Sequence, residues 1–206
     1  MAVILKETEA EDFLERHGFP VVERRVVRSL AELRSAARAL GFPVVLKNPT
    51  ALHKTEQHAV RMDVTEATLE AAYRALGGRR VLVQRQLRGV ELLIGLKRDA
   101  VFGAVAACGL GGVTTELFKD VAFRVCPLTR NDAVSMLHSL HAARLFEGFR
   151  GIRASAKAVA ALLLKVSALA ERYPELEELD VNPLIVTERE ARIADARMVF
   201  AHLRRR

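Results

Sequence analysis

The sequence predicts an α+β fold organised as two lobes, and three observations carry that prediction. Helical and strand patterns are mixed without the regular strand–helix–strand alternation that a parallel, doubly wound sheet requires. The two longest strand patterns, GVELLIGLK (89–97) and AVFGAVAAC (100–108), are separated only by the polar RDA, the mark of an antiparallel hairpin. The run Gln86 to Gly89 breaks the strand pattern and sets a pivot. An N-terminal lobe is thus expected over residues 1–86 and a C-terminal lobe over 87–206.

Composition limits what such a chain does. Half of its 206 residues are hydrophobic, so it buries a substantial core without needing disulfides or a structural metal. The formal charge of +7 is spread along the chain and forms no single basic stripe, which argues against nucleic acid as the partner. The two cysteines, Cys108 and Cys126, stand in apolar strand-like runs and read as buried, reduced thiols of a cytoplasmic protein. The apolar start MAVIL is too short for a signal segment, and no stretch approaches the ~18 apolar residues of a membrane span.

Each element has a local cause. Thr8 to His17 has helical apolar spacing with acidic residues in its first turn, and Gly18 supplies the stop. FPVVERRVV (19–27) reads as a strand. Ser29 and Glu32 open a helix that reaches Leu40, and Gly41 ends it before the strand FPVVLK. AVRMDV (59–64) is a strand, Thr65 opens a helix to Leu76, and VLVQRQL (81–87) is a strand again. GLGG (109–112) is a glycine loop ahead of the strand VAFRVCPL. Helices follow near 129–140 and 155–172. A closing pair of strands, ELDVNPLIV and ARIADARMV, completes the chain.

The candidate chemistry sits at the ends of strands. Lys47 closes the apolar run FPVVLK, where an ammonium on a flexible stem reaches a phosphate as a point charge; an isolated lysine there is otherwise simply solvated. Near the other end of the chain, Asp180 and Asn182 alternate on one strand face and Asp195 falls on the adjacent antiparallel strand. Carboxylate and amide oxygens held together on neighbouring strands suit Mg²⁺, which takes one or two protein oxygens plus substrate phosphates. A lysine and a magnesium pair together point to a nucleotide. Read without further context, His53 is an ordinary loop histidine, Asn182–Pro183 a turn signal and GLGG a tight bend. His17, His138, His141 and His202 carry no motif and read as structural or solvated.

In order along the chain, FPVVLK, LHKT (52–55), GVELLIG, GLGG with E-x-x-KDVAFR (116–124), LDVNPLIV and the final AD resemble the β subunit of the ADP-forming acyl-CoA synthetases, relatives of succinyl-CoA synthetase. The resemblance implies an ATP-grasp fold, two α+β lobes with ATP or ADP and Mg²⁺ bound between them. It further implies a phosphohistidine that passes a phosphoryl group to or from a CoA-binding α subunit in an α2β2 assembly, with neither membrane nor nucleic acid as partner. By position it gives Lys47 the nucleotide phosphates and the main chain of Val83, Gln84, Arg85 and Gln86 the purine edge. Glu91 then faces the nucleotide, Asn182 and Asp195 hold Mg²⁺, His53 accepts the phosphoryl group and Asp180 orients that imidazole. Glu116, Lys119, Asp120 and Arg150 receive no individual role. The loop before His53 is shorter than in many relatives, and His58 and Ala59 replace a glycine pair. Two alternatives therefore stay open: an ATP-grasp carboxylate ligase without phosphohistidine, and a non-catalytic ATP-binding regulatory module.

Overall fold

The computed structural model describes residues 2–49, 59–112 and 120–201. Along the chain run β1 (Val3–Leu5), α1 (Glu7–Arg16), β2 (Arg24–Val27), α2 (Leu30–Leu40), β3 (Val44–Lys47), β4 (Val60–Val64), α3 (Leu69–Ala75) and β5 (Val81–Arg85). They are followed by β6 (Val90–Asp99), β7 (Gly103–Leu110), β8 (Val121–Val125), α4 (Arg130–His138), α5 (Arg144–Glu147), α6 (Ala156–Arg172), β9 (Leu176–Val186), β10 (Ala191–Ile193) and β11 (Ala196–Phe200). The elements form two compact units, one of Val22–Leu87 and one that joins the chain up to Val21 with the chain from Arg88 onward.

The smaller unit is an antiparallel sheet of order β2-β5-β3-β4 with α2 and α3 against one face. Strand alternation decides which side chains meet the helices: Val44, Leu46, Val81 and Val83 pack with Leu33, Ala37, Leu40 and Tyr73. Ser29 caps α2 by accepting from the Glu32 N–H at 3.2 Å, while the Glu32 carboxylate reaches back to the Arg28 N–H at 2.8 Å. The helix expected from Thr65 begins instead at Leu69. Thr65 donates its main-chain N–H to the Thr68 hydroxyl at 3.0 Å, and this local bond holds residues 65–68 in a turn that delays the helix.

The larger unit has a seven-stranded antiparallel sheet, ordered β1-β11-β9-β6-β7-β8 with β10 paired to β9. Its helices cover one face. Leu92, Ile94 and Leu96 of β6 and Leu179, Val181 and Leu184 of β9 pack against Leu14 of α1, Met136 of α4 and Leu163 and Val166 of α6. Each fully buried side chain of this kind contributes about 1.5–3 kcal/mol. Glu91 and Lys97 of β6, displaced by one residue from that pattern, lie exposed on the opposite face. Arg98 donates to the carbonyls of Ala170, Leu176 and Tyr173 at 2.8–3.2 Å, tying the end of α6 to the start of β9. His17 lies between the Phe13 carbonyl, 2.7 Å from Nδ1, and the Tyr173 hydroxyl, 2.6 Å from Nε2. A carbonyl only accepts, so Nδ1 carries the hydrogen, in keeping with a structural role.

Four further readings of the sequence are corrected. The run MAVIL supplies β1, whose antiparallel pairing Val3↔Phe200 to Leu5↔Met198 carries β1 and α1 into the larger unit; a cut at 86/87 had placed them in the N-terminal lobe. The β6–β7 hairpin turns at residues 100–102, after RDA begins, because Asp99 Oδ1 accepts from the N–H groups of Val101 and Phe102 at 2.8 and 3.0 Å. ARIADARMV is two strands, interrupted at Ala194 and Asp195. Only Arg24–Val27 of FPVVERRVV belongs to a sheet ladder, with Val21 making an isolated bridge to Ile193.

Candidate functional site

The interruption between β10 and β11 gathers polar groups in the larger unit. Along β9 the partner changes from β11, up to the pair Ala196↔Val181, to β10, from Ile193↔Leu184. Against β6 the register slips at the same place: Leu92 opposes Leu184 but Ile94 opposes Val181, so β9 has one residue more than β6 across this interval. That bulge accommodates Pro183, which has no N–H to give to a central strand, and it re-aims the side chain of Asn182. The gap is closed by main-chain bonds from Asn182 N–H to the Asp195 carbonyl at 3.2 Å and from Ala194 N–H to the Pro183 carbonyl at 3.1 Å. Asn182 and Asp195 are thereby neighbours, with Asp195 in the break and not on the adjacent strand where the sequence pattern puts it.

The glycine loop joins the same cluster. Gly111 N–H donates to the Glu91 carbonyl at 2.9 Å, and Gly112 N–H donates to Asn182 Oδ1 at 2.8 Å. The Glu91 carboxylate lies directly over the Cα of Gly112. In the sequence GLGG reads as a tight bend or a functional segment, and the structure connects it to two of the candidate residues. Its signal was a glycine pair at the end of a long strand.

Asp180 lies on the same sheet face, opposite Gly95 of β6 and Arg197 of β11. Solvent still reaches its side chain, yet partial burial raises its pKa above the ordinary carboxylate value. The negative charges of Glu178 and Asp195 add to the rise, and Arg197 opposes it. Arg197 also pairs with Glu178 at 3.2 Å. Neither Glu178 nor Arg197 was singled out from the sequence, since a charge on a strand carries no motif.

As a donor set, these groups suit a hard cation. Among the described residues no three His, Cys, Asp or Glu side chains gather into a metal-binding group. What the site offers is an amide on β9 and a carboxylate in the adjoining break between β10 and β11, with a second carboxylate nearby, which matches a cation that leaves much of its shell to water and phosphate and does not match a closed protein cage.

In the smaller unit, Lys47 is not the solvated lysine of an ordinary strand end: it is 5% exposed. It shares a buried sheet face with Val45, Leu82 and Gln84, opposite the face that meets α2 and α3. Val83 points the other way, into the helical core. Because β5 is flanked by β2 and β3, Val83 and Gln84 are paired on both sides, and Arg85 pairs with Val44 and donates its N–H to the Glu23 carbonyl. Of the expected purine-reading segment, Gln86 alone lies beyond the ladder. Its side chain is held by Asp63, with Nε2 donating to Asp63 Oδ1 and Oε1 accepting from Asp63 N–H, both at 2.8 Å.

His53, Glu116 and Lys119 fall outside the described residues. Asp120 has a structural task, accepting from the N–H groups of His141 and Ala142 at 2.8 and 2.9 Å. Arg150 occupies the tip of a tight turn closed by paired Phe149 and Ile152, with φ of 50° and its guanidinium 5.4 Å from the Phe149 ring centre. Of the thiols, Cys108 is buried and Cys126 only half-buried; both are free. No helix of the described residues is long and apolar enough to cross a membrane.

The chain is similar to known proteins over nearly its whole length. Residues 2–200 match the ATP-grasp domain family. The chain is 35% identical over 212 residues to the β subunit of acetate–CoA ligase [ADP-forming] I from Pyrococcus furiosus, covering 95% of this chain and 91% of that subunit. It is 39% identical over 202 residues to acetate–CoA ligase [ADP-forming] I from Archaeoglobus fulgidus; there the match covers 91% of this chain but spans only 30% of the relative. Among solved structures, acetyl-coenzyme A synthetase 1 of Ca. Korarchaeum cryptofilum, in complex with coenzyme A, Ca-AMPCP and HgCl+, superposes with a TM-score of 0.89 at 36% identity, covering 96% of this chain and 93% of that one. The same protein is known with coenzyme A and Mg-AMPPCP, its phosphohistidine segment pointing towards the nucleotide binding site.

Proposed function

The chain belongs to the ATP-grasp domain family and, within it, to the family of β subunits of ADP-forming acetate–CoA ligases, and on that premise we propose that it is the nucleotide-binding subunit of an ADP-forming acyl-CoA synthetase. The enzyme interconverts acyl-CoA, ADP and phosphate with the free acid, CoA and ATP. The observation that carries the reading is the convergence of Glu91, Asn182 and Asp195 around the glycine loop, with Asp180 on the same sheet face.

In this reading the buried Lys47 ammonium engages the nucleotide phosphates, and the chain at Gln86, where β5 leaves its ladder, reads the purine edge. Glu91 faces the nucleotide. Asn182 and Asp195 would hold Mg²⁺, which would offset the negative charge of the nucleotide phosphates. A neutral ring nitrogen of His53 donates its lone pair to the γ-phosphorus as the bridging P–O bond breaks, and ADP leaves with the bond electrons. Asp180 accepts the other ring N–H and steadies the charge on the phosphohistidine. Run backwards, the same groups make ATP.

The chain spans a minor part of its longer Archaeoglobus relative and nearly all of a Pyrococcus β subunit. In this reading a CoA-binding α subunit supplies acyl and CoA recognition, in an α2β2 assembly in the cytoplasm. The decisive experiment incubates the purified chain, with and without that subunit, with γ-labelled ATP and Mg²⁺. Acid-labile, base-stable label that vanishes in His53→Ala supports the relay. Label that persists in His53→Ala overturns it.

A further inference from the structure

We infer that Gly112 is a positioning residue for the metal site: it orients the Asn182 side chain and does so because it carries no side chain of its own. This rests on the reading that Asn182 holds Mg²⁺.

An amide group has two nearly identical ends, and only one of them ligates a cation. The main-chain N–H of Gly112 can only donate, so the atom 2.8 Å from it must be Oδ1 of Asn182. That bond takes one oxygen lone pair and leaves the second for a cation. It also turns the amide so that its NH₂ end does not occupy the ligand position. The main chain of Asn182 is fixed independently by its N–H bond to the Asp195 carbonyl, so rotation of the side chain is the freedom that remains for Gly112 to remove.

The glycine loop has little space in which to keep this bond if a methyl group is added. At Gly112 a Cβ would overlap a carboxylate oxygen of Glu91, and its φ of +65° is one that L side chains resist. Retreat towards β6 is blocked at the preceding residue, where a Cβ on Gly111 would already lie 2.5 Å from the carbonyl carbon and oxygen of Leu92. Gly111 is moreover held to the Glu91 carbonyl at 2.9 Å. The relief that remains is displacement of Gly112 away from the sheet, which lengthens its bond to Asn182, or displacement of the Glu91 side chain. Either outcome disturbs a residue assigned to the nucleotide or its metal.

The test measures Mn²⁺, standing in for Mg²⁺, binding to the full chain saturated with ADP by the loss of the free-ion paramagnetic resonance signal, and separately measures ADP affinity in EDTA. Gly112→Ala should weaken Mn²⁺ binding by about tenfold or more, the usual effect of losing an outer-shell partner, and a fall in ADP affinity in EDTA as large as the fall in Mn²⁺ affinity would put the strain on Glu91 and overturn the inference. Asn182→Ala should weaken Mn²⁺ binding at least as much, and adding Gly112→Ala to it should cost nothing further. An equal, additive loss in the double variant would mean a merely structural glycine and overturns the inference. Wild-type Mn²⁺ affinity in Gly112→Ala, with loss in Asn182→Ala, overturns it while leaving the metal reading intact. Wild-type affinity in Asn182→Ala overturns the metal reading itself. Amide hydrogen exchange at Gly112 needs no substitution there: it should quicken in Asn182→Ala, and an unchanged rate excludes the bond.

Discussion

Asn182 and Asp195 are tied to each other through the main chain, the N–H of one donating to the carbonyl of the other at 3.2 Å across the break between β10 and β11. That tie uses main-chain atoms alone, so a change of either side chain leaves it in place. Alanine at either position should therefore spare the fold but raise the Mg²⁺ concentration needed for ATP formation by at least about tenfold. A Mg²⁺ titration of ATP synthesis with the CoA-binding subunit present reads the effect. A fall in rate that saturating Mg²⁺ fails to restore in both variants would show that the two residues do something other than hold the cation.

Lys47 calls for a substitution that separates charge from packing. Its stem is buried in the smaller unit, so alanine would leave a cavity and confuse the result. Lys47→Met keeps most of the volume and removes the ammonium. A charged hydrogen bond is worth about 1.5–3 kcal/mol, so ADP affinity should fall roughly ten- to hundredfold by calorimetry, with the midpoint of thermal unfolding little changed. Undiminished ADP affinity would remove the lysine from the site.

The alternation of apolar residues made the strands and the long helices readable in advance, and Ser29 and Gly41 bounded α2 because capping is local chemistry. β1 was not readable: three residues, two of them exposed, have no pattern of their own and are a strand only because β11 offers a partner. Asp195 was placed beside Asn182 by the hairpin logic of the closing strands, but the bulge at Asn182–Pro183 and the break at Ala194 are products of three-strand pairing that no short window contains. Gly112 illustrates the same limit, since a glycine shows that space is scarce without saying whose side chain takes it up.

The cysteines give a prediction about pH. Burial, with the Asp120 charge as a smaller cause, pushes the Cys108 thiol up to about 12, and burial also raises the half-buried Cys126. A raised thiol pKa means that the nucleophilic thiolate forms only at higher pH. In the native chain, a thiol reagent at pH 8 should modify Cys126 slowly, and faster as the pH is raised, while Cys108 stays unmodified. Denaturant should make both reactive. Modification of Cys108 in the folded chain, followed by peptide mass spectrometry, would contradict the tight closure of β7 against α6.

Asp120 lies beside the glycine loop and in a segment with a recognisable motif, so a direct part in chemistry is the obvious guess. Its contacts argue otherwise. It is 6% exposed, and its two carboxylate oxygens are each taken by a main-chain N–H, of His141 and of Ala142, at the start of a helical turn. Its own carbonyl accepts from Leu110 N–H at 3.1 Å, so the residue fastens the base of the glycine loop to the turn after α4. Asp120→Asn keeps one acceptor and turns an NH₂ group towards the other N–H. Leaving that buried donor unsatisfied costs about 1–3 kcal/mol, and in a chain of this size each kcal/mol lowers the unfolding midpoint by roughly 2–4 °C. The variant should therefore melt several degrees lower while binding ADP within about twofold of wild type, a margin under half a kcal/mol. If the melting temperature is unchanged and ADP binding or phosphorylation collapses, Asp120 acts on the nucleotide and its hydrogen bonds to the turn are incidental.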